Sequence, residues 1–356
     1  MNSWPRLTSA ILIFLGLICA PRILAQDSAA PRTQAANPIQ NSDGNTCLYP
    51  VRQHGDWGYI DRTGKLVVPA QFYSASTFHD GMAFVQLFSA LDNHARPIER
   101  LVLIDISGGT IASHVFRSAL PFSEGLAIAA GVEDKAYGFI DKTGAMVITP
   151  QFQAGGKFSE GIANVMDHGK WGFIDRSGKP VIEFQFADAF SFREGLAAVK
   201  TGKKWGYIDK TGKVVIPAVY EKAYEFTEGL AAVKDGGKWG YVDTSGKMVI
   251  AAQYTDAFGF ADGLSQVKVD GKWGYIDKSG KIVIQPRYEN AYMHSEGLAT
   301  VKDGGKWGYI DTTGKMVIPP QFDEAFTFVK GLASVRVGKQ MGYIDHEGKY
   351  VWQPSE

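Results

Sequence analysis

From residue 47 onward the apolar positions come in short runs, separated by polar turns that contain glycine. One stretch serves as a template. Leu196-Ala197-Ala198-Val199 is followed by a turn and by Trp205-Gly206-Tyr207-Ile208-Asp209. Then come the turn Lys210-Thr211-Gly212 and the run Val214-Val215-Ile216-Pro217. Short runs rich in β-branched and aromatic residues, bounded by glycine, predict strands. Three such runs predict three strands per unit. The Asp-x-x-Gly-Lys turn fits a three-residue hairpin loop with glycine in the left-handed conformation. Pro217 and its counterparts Pro69, Pro150 and Pro319 are expected to end the third strand, because proline cannot donate to a ladder. In the connector, Tyr220, Ala223 and Phe226 stand three apart, which predicts a helical turn.

The strands are apolar on both faces. Trp205 and Tyr207 point one way and Ile208 the other, while Leu196 and Ala198 oppose Ala197 and Val199. Sheets covered on both sides read this way, so each unit is expected between two neighbours. Gly206 removes a side chain from a strand interior, which marks a close approach of backbone or a bulge. The expected visitor is the next unit.

The pattern repeats. The Trp slot recurs at Tyr137, Trp171, Trp205, Trp239, Trp273, Trp307 and Met341, each 34 residues after the last. Trp57 and Leu101 head two earlier copies, so nine units run over residues 47–356. The spacing from Trp57 to Leu101 is 44, and the excess falls in residues 87–100 (LFSALDNHARPIER). The expected fold is all-β: a tandem array of nine three-stranded units. An open, solenoid-like stack is favoured over a closed propeller-like ring, because propeller blades have four strands and periods above about 40 residues. Sheets stacked about 10 Å apart would make a rod of roughly 90 Å.

Ahead of the array, residues 7–20 (LTSAILIFLGLICA) form an apolar run preceded by Arg6 and followed by Ile23-Leu24-Ala25. The run is short for a membrane span and reads as a secretory signal over residues 1–25. Residues 26–46 are rich in Ala, Pro, Asn, Gln and Ser and read as a flexible linker. Cleavage would remove Cys19 and leave Cys47 as the single thiol, so stability must come from packing. The expected location is the periplasm or the exterior, with no membrane span after cleavage.

Composition narrows the function. Lys plus Arg and Asp plus Glu each total 37, and a neutral chain lacks the basic face that nucleic-acid binding requires. Glycine is abundant at 41 residues, in keeping with many tight turns. The seven histidines are scattered; His54 and His168 share a turn position. No zinc, phosphate-loop or nucleophile motif is present, and no cofactor, metal or catalytic residue is expected. The recurrent Asp (Asp61, Asp105, Asp141, Asp175, Asp209, Asp243, Asp277, Asp311, Asp345) could form a calcium ladder, but one carboxylate beside a Lys falls short of calcium's ligand demand. Capping of its own turn is the simpler role. The Glu of the Glu-Gly slot (Glu124, Glu160, Glu194, Glu228, Glu296) recurs too often for a glycosidase pair and is expected to serve the repeat. Trp57, Trp171, Trp205, Trp239, Trp273 and Trp307 are expected to be structural core, since a Trp buries so much apolar area.

These residues resemble the WG-repeat (KWG-repeat) family of bacterial proteins, whose pattern GKWGYIDKxGKxVIxPxFxxAxxFxEGLAxV stands nearly intact at residues 238–267, 272–301 and 306–335. The resemblance implies a β-rich repeat domain, often secreted or envelope-associated, with no general enzymatic activity. Leu101, without the Trp-Gly pair, and Met341 depart from the pattern. The expected function is a non-catalytic scaffold for protein interactions in or outside the cell envelope; the alternative is a carbohydrate- or cell-wall-binding module with exposed aromatics. Within the insertion, Phe88, Leu91, His94, Arg96 and Arg100 are the candidate partner contacts.

Overall fold

A computed structural model describes residues 47–87, 90–91, 97–98, 100–111 and 115–355. The expected signal and linker, residues 1–46, lie outside the described residues. Those described are strands and turns, with no helix among them, and none is therefore long and apolar enough to cross a membrane. The chain is the all-β tandem array that its periodicity predicts.

The unit has four strands rather than three. In the template unit they are Asp188–Ala189, Leu196–Thr201, Lys204–Asp209 and Val214–Tyr220, hydrogen-bonded in that order and all antiparallel. The extra strand lies in the connector where a helical turn was expected. Its ladder is continued by Ala187 N–H donating to Lys200 O at 2.8 Å and Phe190 N–H donating to Ala198 O at 2.9 Å. The three-residue spacing of Tyr220, Ala223 and Phe226 has a different origin. Tyr220 closes one sheet, Ala223 lies in the first strand of the next, and Phe226 lies just beyond it.

Two further expectations change. Pro217 lies inside Val214–Tyr220, not at its end. Pro69, Pro150 and Pro319 likewise lie within Leu66–Phe72, Met146–Phe152 and Met316–Phe322. These are the outer edge strands of their sheets, where a missing N–H costs the ladder nothing. Gly206 makes room for its own sheet, not for the next unit. A Cβ there would stand 2.5 Å from Ile216 O and 2.7 Å from Ala218 N. The edge strand bulges past this point, with Trp205 opposite Tyr220 and Tyr207 opposite Ile216. Contact with the preceding unit comes from the turn glycine instead: a Cβ on Gly212, at φ 83°, would stand 3.4 Å from the Ile182 side chain.

The core lies between successive units. Leu196, Tyr207 and Ile216 of one pack with Phe226, Val233 and Val242 of the next, so each sheet buries both faces, as its pattern requires. Tyr207 Oη donates to Tyr224 O at 2.8 Å across this interface. The bond recurs from Tyr59, Tyr275 and Tyr309 to Ser76, Tyr292 and Phe326. In units two and three the pairing of Leu101 with Phe116 joins two blades into one seven-stranded sheet.

The stack consists of separate sheets and forms no barrel, yet its ends meet. Tyr49 Oη donates to Lys330 O at 2.7 Å, and Tyr343 Oη to Pro50 O at 2.9 Å. The rings of Tyr49 and Tyr343 lie edge to face with centroids 5.6 Å apart. Tyr49, Val51, Ile60, Leu332 and Tyr343 share one buried cluster. The turn glycine of unit one, Gly64, lies on Val351 of unit nine, as Gly108, Gly178, Gly212, Gly246, Gly280, Gly314 and Gly348 lie on the unit before them. A 90 Å rod cannot bring these residues together. Of the two arrangements open to the array, the ring accounts for the contacts. No strand is exchanged at the closure among the described residues; the first sheet, Tyr49–Gln53 to Leu66–Phe72, keeps three strands of its own.

Candidate functional site

The Glu-Gly turn follows the first strand of each unit from the second onward. Its acidic residue has a positive φ, 53° at Glu194 and 51° at Asp262, a conformation that non-glycine residues adopt rarely. There the carboxylate reaches forward to the next unit and accepts from backbone. Gly125 N–H donates to Asp80 at 2.8 Å, Glu160 N–H to Glu124 at 2.6 Å and Gly195 N–H to Glu160 at 3.1 Å. Gly229, Gly263, Gly297 and Gly331 donate in the same way to Glu194, Glu228, Asp262 and Glu296. These carboxylates thus string one rim of the ring from unit two to unit nine. In unit nine the slot holds Lys330.

Basic residues of the Asp turns add a second tie. Lys210 Nζ stands 3.0 Å from Glu160, Lys278 Nζ 3.0 Å from Glu228 and His346 Nε2 3.0 Å from Glu296. Burial pushes the Glu160 carboxyl up, but bonds from Lys210 Nζ and from the Gly195 and Glu194 amides outweigh it and hold it below the ordinary range. No described ion pair reaches Glu194 or Asp262.

Residues from Ser159 to Thr327, drawn from six successive units, border a single recess of about 710 Å³. Such a recess must lie on the ring axis. Glu160, Glu194, Glu228, Asp262 and Glu296 stand around it with one cation, Arg193, whose Nε is 3.6 Å from Glu225. Burial raises the Glu225 carboxyl, against the pull of Arg193 and Lys157.

His294 forms part of the recess wall. Its repeat slot is otherwise aromatic and apolar: Phe78, Phe122, Phe158, Phe192, Phe226, Phe260 and Phe328. The imidazole is 1% exposed and packs edge-on against Tyr275 at 4.8 Å. Burial lowers its pKa, so the ring is neutral at pH 7. Nε2 lies 3.5 Å from Asp311 O, a long contact, and Nδ1 has no partner. Thr227 Oγ1, on the same wall, is also buried without a partner. The periodicity, which drew attention to recurrent residues, gave no signal for this site. The one clue was the substitution of His294 into a Phe slot.

The recurrent residues have structural positions. Asp209 Oδ1 accepts from Thr211 Oγ1 at 2.6 Å, Thr211 N–H at 2.9 Å and Lys213 N–H at 3.1 Å. The same set recurs at Asp61, Asp105, Asp141, Asp175, Asp243, Asp277 and Asp311. Each Asp thus closes its own turn. Trp205, Trp239, Trp273 and Trp307 are buried at 3–7% exposure, and Trp57 and Trp171 are half-buried. The faces of Trp205, Trp239, Trp273 and Trp307 are covered. Tyr224 stacks on Trp239 at 4.9 Å and Tyr292 on Trp307 at 5.1 Å; Lys268 Nζ lies 5.5 Å over Trp273. His54 and His168 are exposed turn residues with positive φ. Of the insertion candidates, Phe88, His94 and Arg96 lie outside the described residues. Leu91 belongs to the short strand Ala90–Leu91, paired with Pro97–Ile98, and Arg100 is exposed.

A ring of like β-sheets, tied by side chains that recur in every unit, defines a non-barrel all-β repeat protein. The chain belongs to the WG containing repeat family, which matches it at residues 57–87, 103–130 and six further repeats from 137 to 340. No curated protein matches it in sequence. Its structural neighbours are propeller-like. A crystal structure of the eukaryotic initiation factor is similar over 88% of this chain and 98% of its own, with a TM-score of 0.59 and 13% identity. The apo form of AztD from Citrobacter koseri aligns over 78% of this chain and 96% of its own, at a TM-score of 0.42 and 13% identity. Virginiamycin B lyase from Staphylococcus aureus aligns over 65% and 92%, at 0.37 and 12%.

Proposed function

We propose that this protein is an exported, non-catalytic scaffold that holds a protein partner in or outside the bacterial cell envelope. The observation that carries this reading is a division of labour. The recurrent Asp, Glu, Tyr and Trp residues bond or pack within and between units. Two residues that depart from the repeat, His294 and Arg193, line the recess. A repeat array presents such irregular positions on a rigid frame. Export is supported by the apolar run at residues 7–20 with a small residue at position 25. Phe88, Leu91, His94, Arg96 and Arg100 of the insertion are kept as a second candidate contact; of these Arg100 is exposed. The cell-wall glycan alternative has less support, because the Trp faces that a sugar would stack on are already covered.

Cell fractionation should place the mature protein outside the cytoplasm, and crosslinking in intact cells followed by purification should recover a specific protein partner. Deleting residues 88–99 tests the hairpin: capture should fall while the melting temperature holds. Recovery of the protein from the cytoplasm, or capture of peptidoglycan in place of protein, would overturn the reading.

A further inference from the structure

The axial recess holds an imbalance that ring-building does not explain. Five carboxylates border it with a single lining cation. Glu160, Glu228 and Glu296 are each neutralised by a basic side chain from an Asp turn. Glu194 and Asp262 are not: each accepts one backbone N–H from the next unit, at 2.9 and 2.8 Å, and a carboxylate has capacity for several more donors.

A second observation is independent of charge. Two buried polar atoms on the same wall, His294 Nδ1 and Thr227 Oγ1, have no partner. A buried polar atom left unpaired costs about 1–3 kcal/mol. At the His294 slot phenylalanine would avoid that cost, as it does in the other described units. With Nε2–H directed at Asp311 O, Nδ1 carries a lone pair. The recess is therefore bordered by two charged acceptors with spare capacity, and two unpaired neutral polar atoms lie buried in its wall.

We infer that the recess binds an alkylammonium or guanidinium group, presented by a lysine or arginine side chain of the protein partner. This rests on the partner-binding reading above and names the chemistry that would be recognised. Such a group brings three to five N–H donors and one positive charge. Glu194 and Asp262 supply the counter-charge, and a side-chain shift in the wall that uncovers His294 Nδ1 and Thr227 Oγ1 adds two neutral acceptors. The size fits, since pockets for small ligands run from about 300 to 1,000 Å³.

Titration calorimetry of the whole protein at low salt tests this, with three probes: acetyl-arginine-amide, acetyl-lysine-amide and free spermidine. The expected result is saturable one-to-one binding of an amino-acid amide. Glu194→Gln with Asp262→Asn keeps the oxygen that accepts from the next unit while removing the charge. That double variant should weaken binding by roughly 10-fold or more, the value of a charge-assisted hydrogen bond. His294→Phe restores the repeat residue; it should weaken binding about 3- to 10-fold without lowering the melting temperature. Absence of saturable binding, equal binding by both variants, or binding of spermidine alone would overturn the inference. Partner capture in cells that survives both variants would also overturn it while leaving the scaffold reading standing.

Discussion

Tyr207 illustrates how one residue holds two units. Its ring is fully buried against Phe226 of the next unit, and its hydroxyl donates to Tyr224 O. Burial pushes the phenol far above its ordinary pKa, so it stays a donor throughout the working pH range. Tyr207→Phe removes the donor and strands the carbonyl. The expected loss is about 1–2 kcal/mol, read as a lower urea midpoint with an unchanged slope. A residue of this kind was legible beforehand as core, because Tyr follows Trp-Gly in nearly every copy. Its bond was not, since the acceptor is a backbone atom 17 positions away in another unit.

At the scale of the element, the hairpin turn sets the acid response. Asp141, Asp175, Asp209, Asp243, Asp277 and Asp311 are held below the ordinary carboxylate range, chiefly by the Thr or Ser hydroxyl two residues on and then by backbone amides. A pKa lowered in the folded state contributes stability that is present above the unfolded value and lost as pH falls through the folded one. The urea midpoint should therefore be flat from pH 7 to about 5 and fall below about pH 4. A midpoint unchanged at pH 3 would contradict this role for the turns. These hairpins were readable from Asp-x-x-Gly alone. The two-residue strand Asp188–Ala189 was not, because a segment that short has no periodicity and exists only through its pairing with Val199 and Lys200.

Closure belongs to the whole molecule. Eight of the nine repeat-to-repeat joints follow the chain, and the ninth joins unit nine to unit one through Tyr49 and Tyr343. It was not visible in the sequence, because the angle between successive units depends on packing depth, not on residue pattern. Scattering from residues 47–356 should give a radius of gyration near about 20 Å, the compact value for this length, and not the 26 Å or more of a rod about 90 Å long. The closing joint also carries a charge conflict. Lys330 occupies the acidic slot, and the Arg62 guanidinium lies over Gly331, 3.0 Å from where a Cβ would be. Lys330→Glu would place a carboxylate there, as Glu160 stands beside Lys210. It should raise stability by about 0.5–1 kcal/mol, since the pair is exposed, and a differential scan would record an upward shift of about 1 °C.

The ninth joint repeats the tyrosine bond and the turn-glycine contact of the others, so the fold does not require the cut to fall between unit nine and unit one. A circular permutant follows directly: residues 355 and 47 joined by a short flexible linker, with new termini opened in the Asp-Gly-Gly-Lys turn at residues 235–238. It should fold to the same circular dichroism spectrum, with its weakest joint moved to the new cut. Hydrogen exchange would then be fastest beside Trp239 and no longer beside Tyr49.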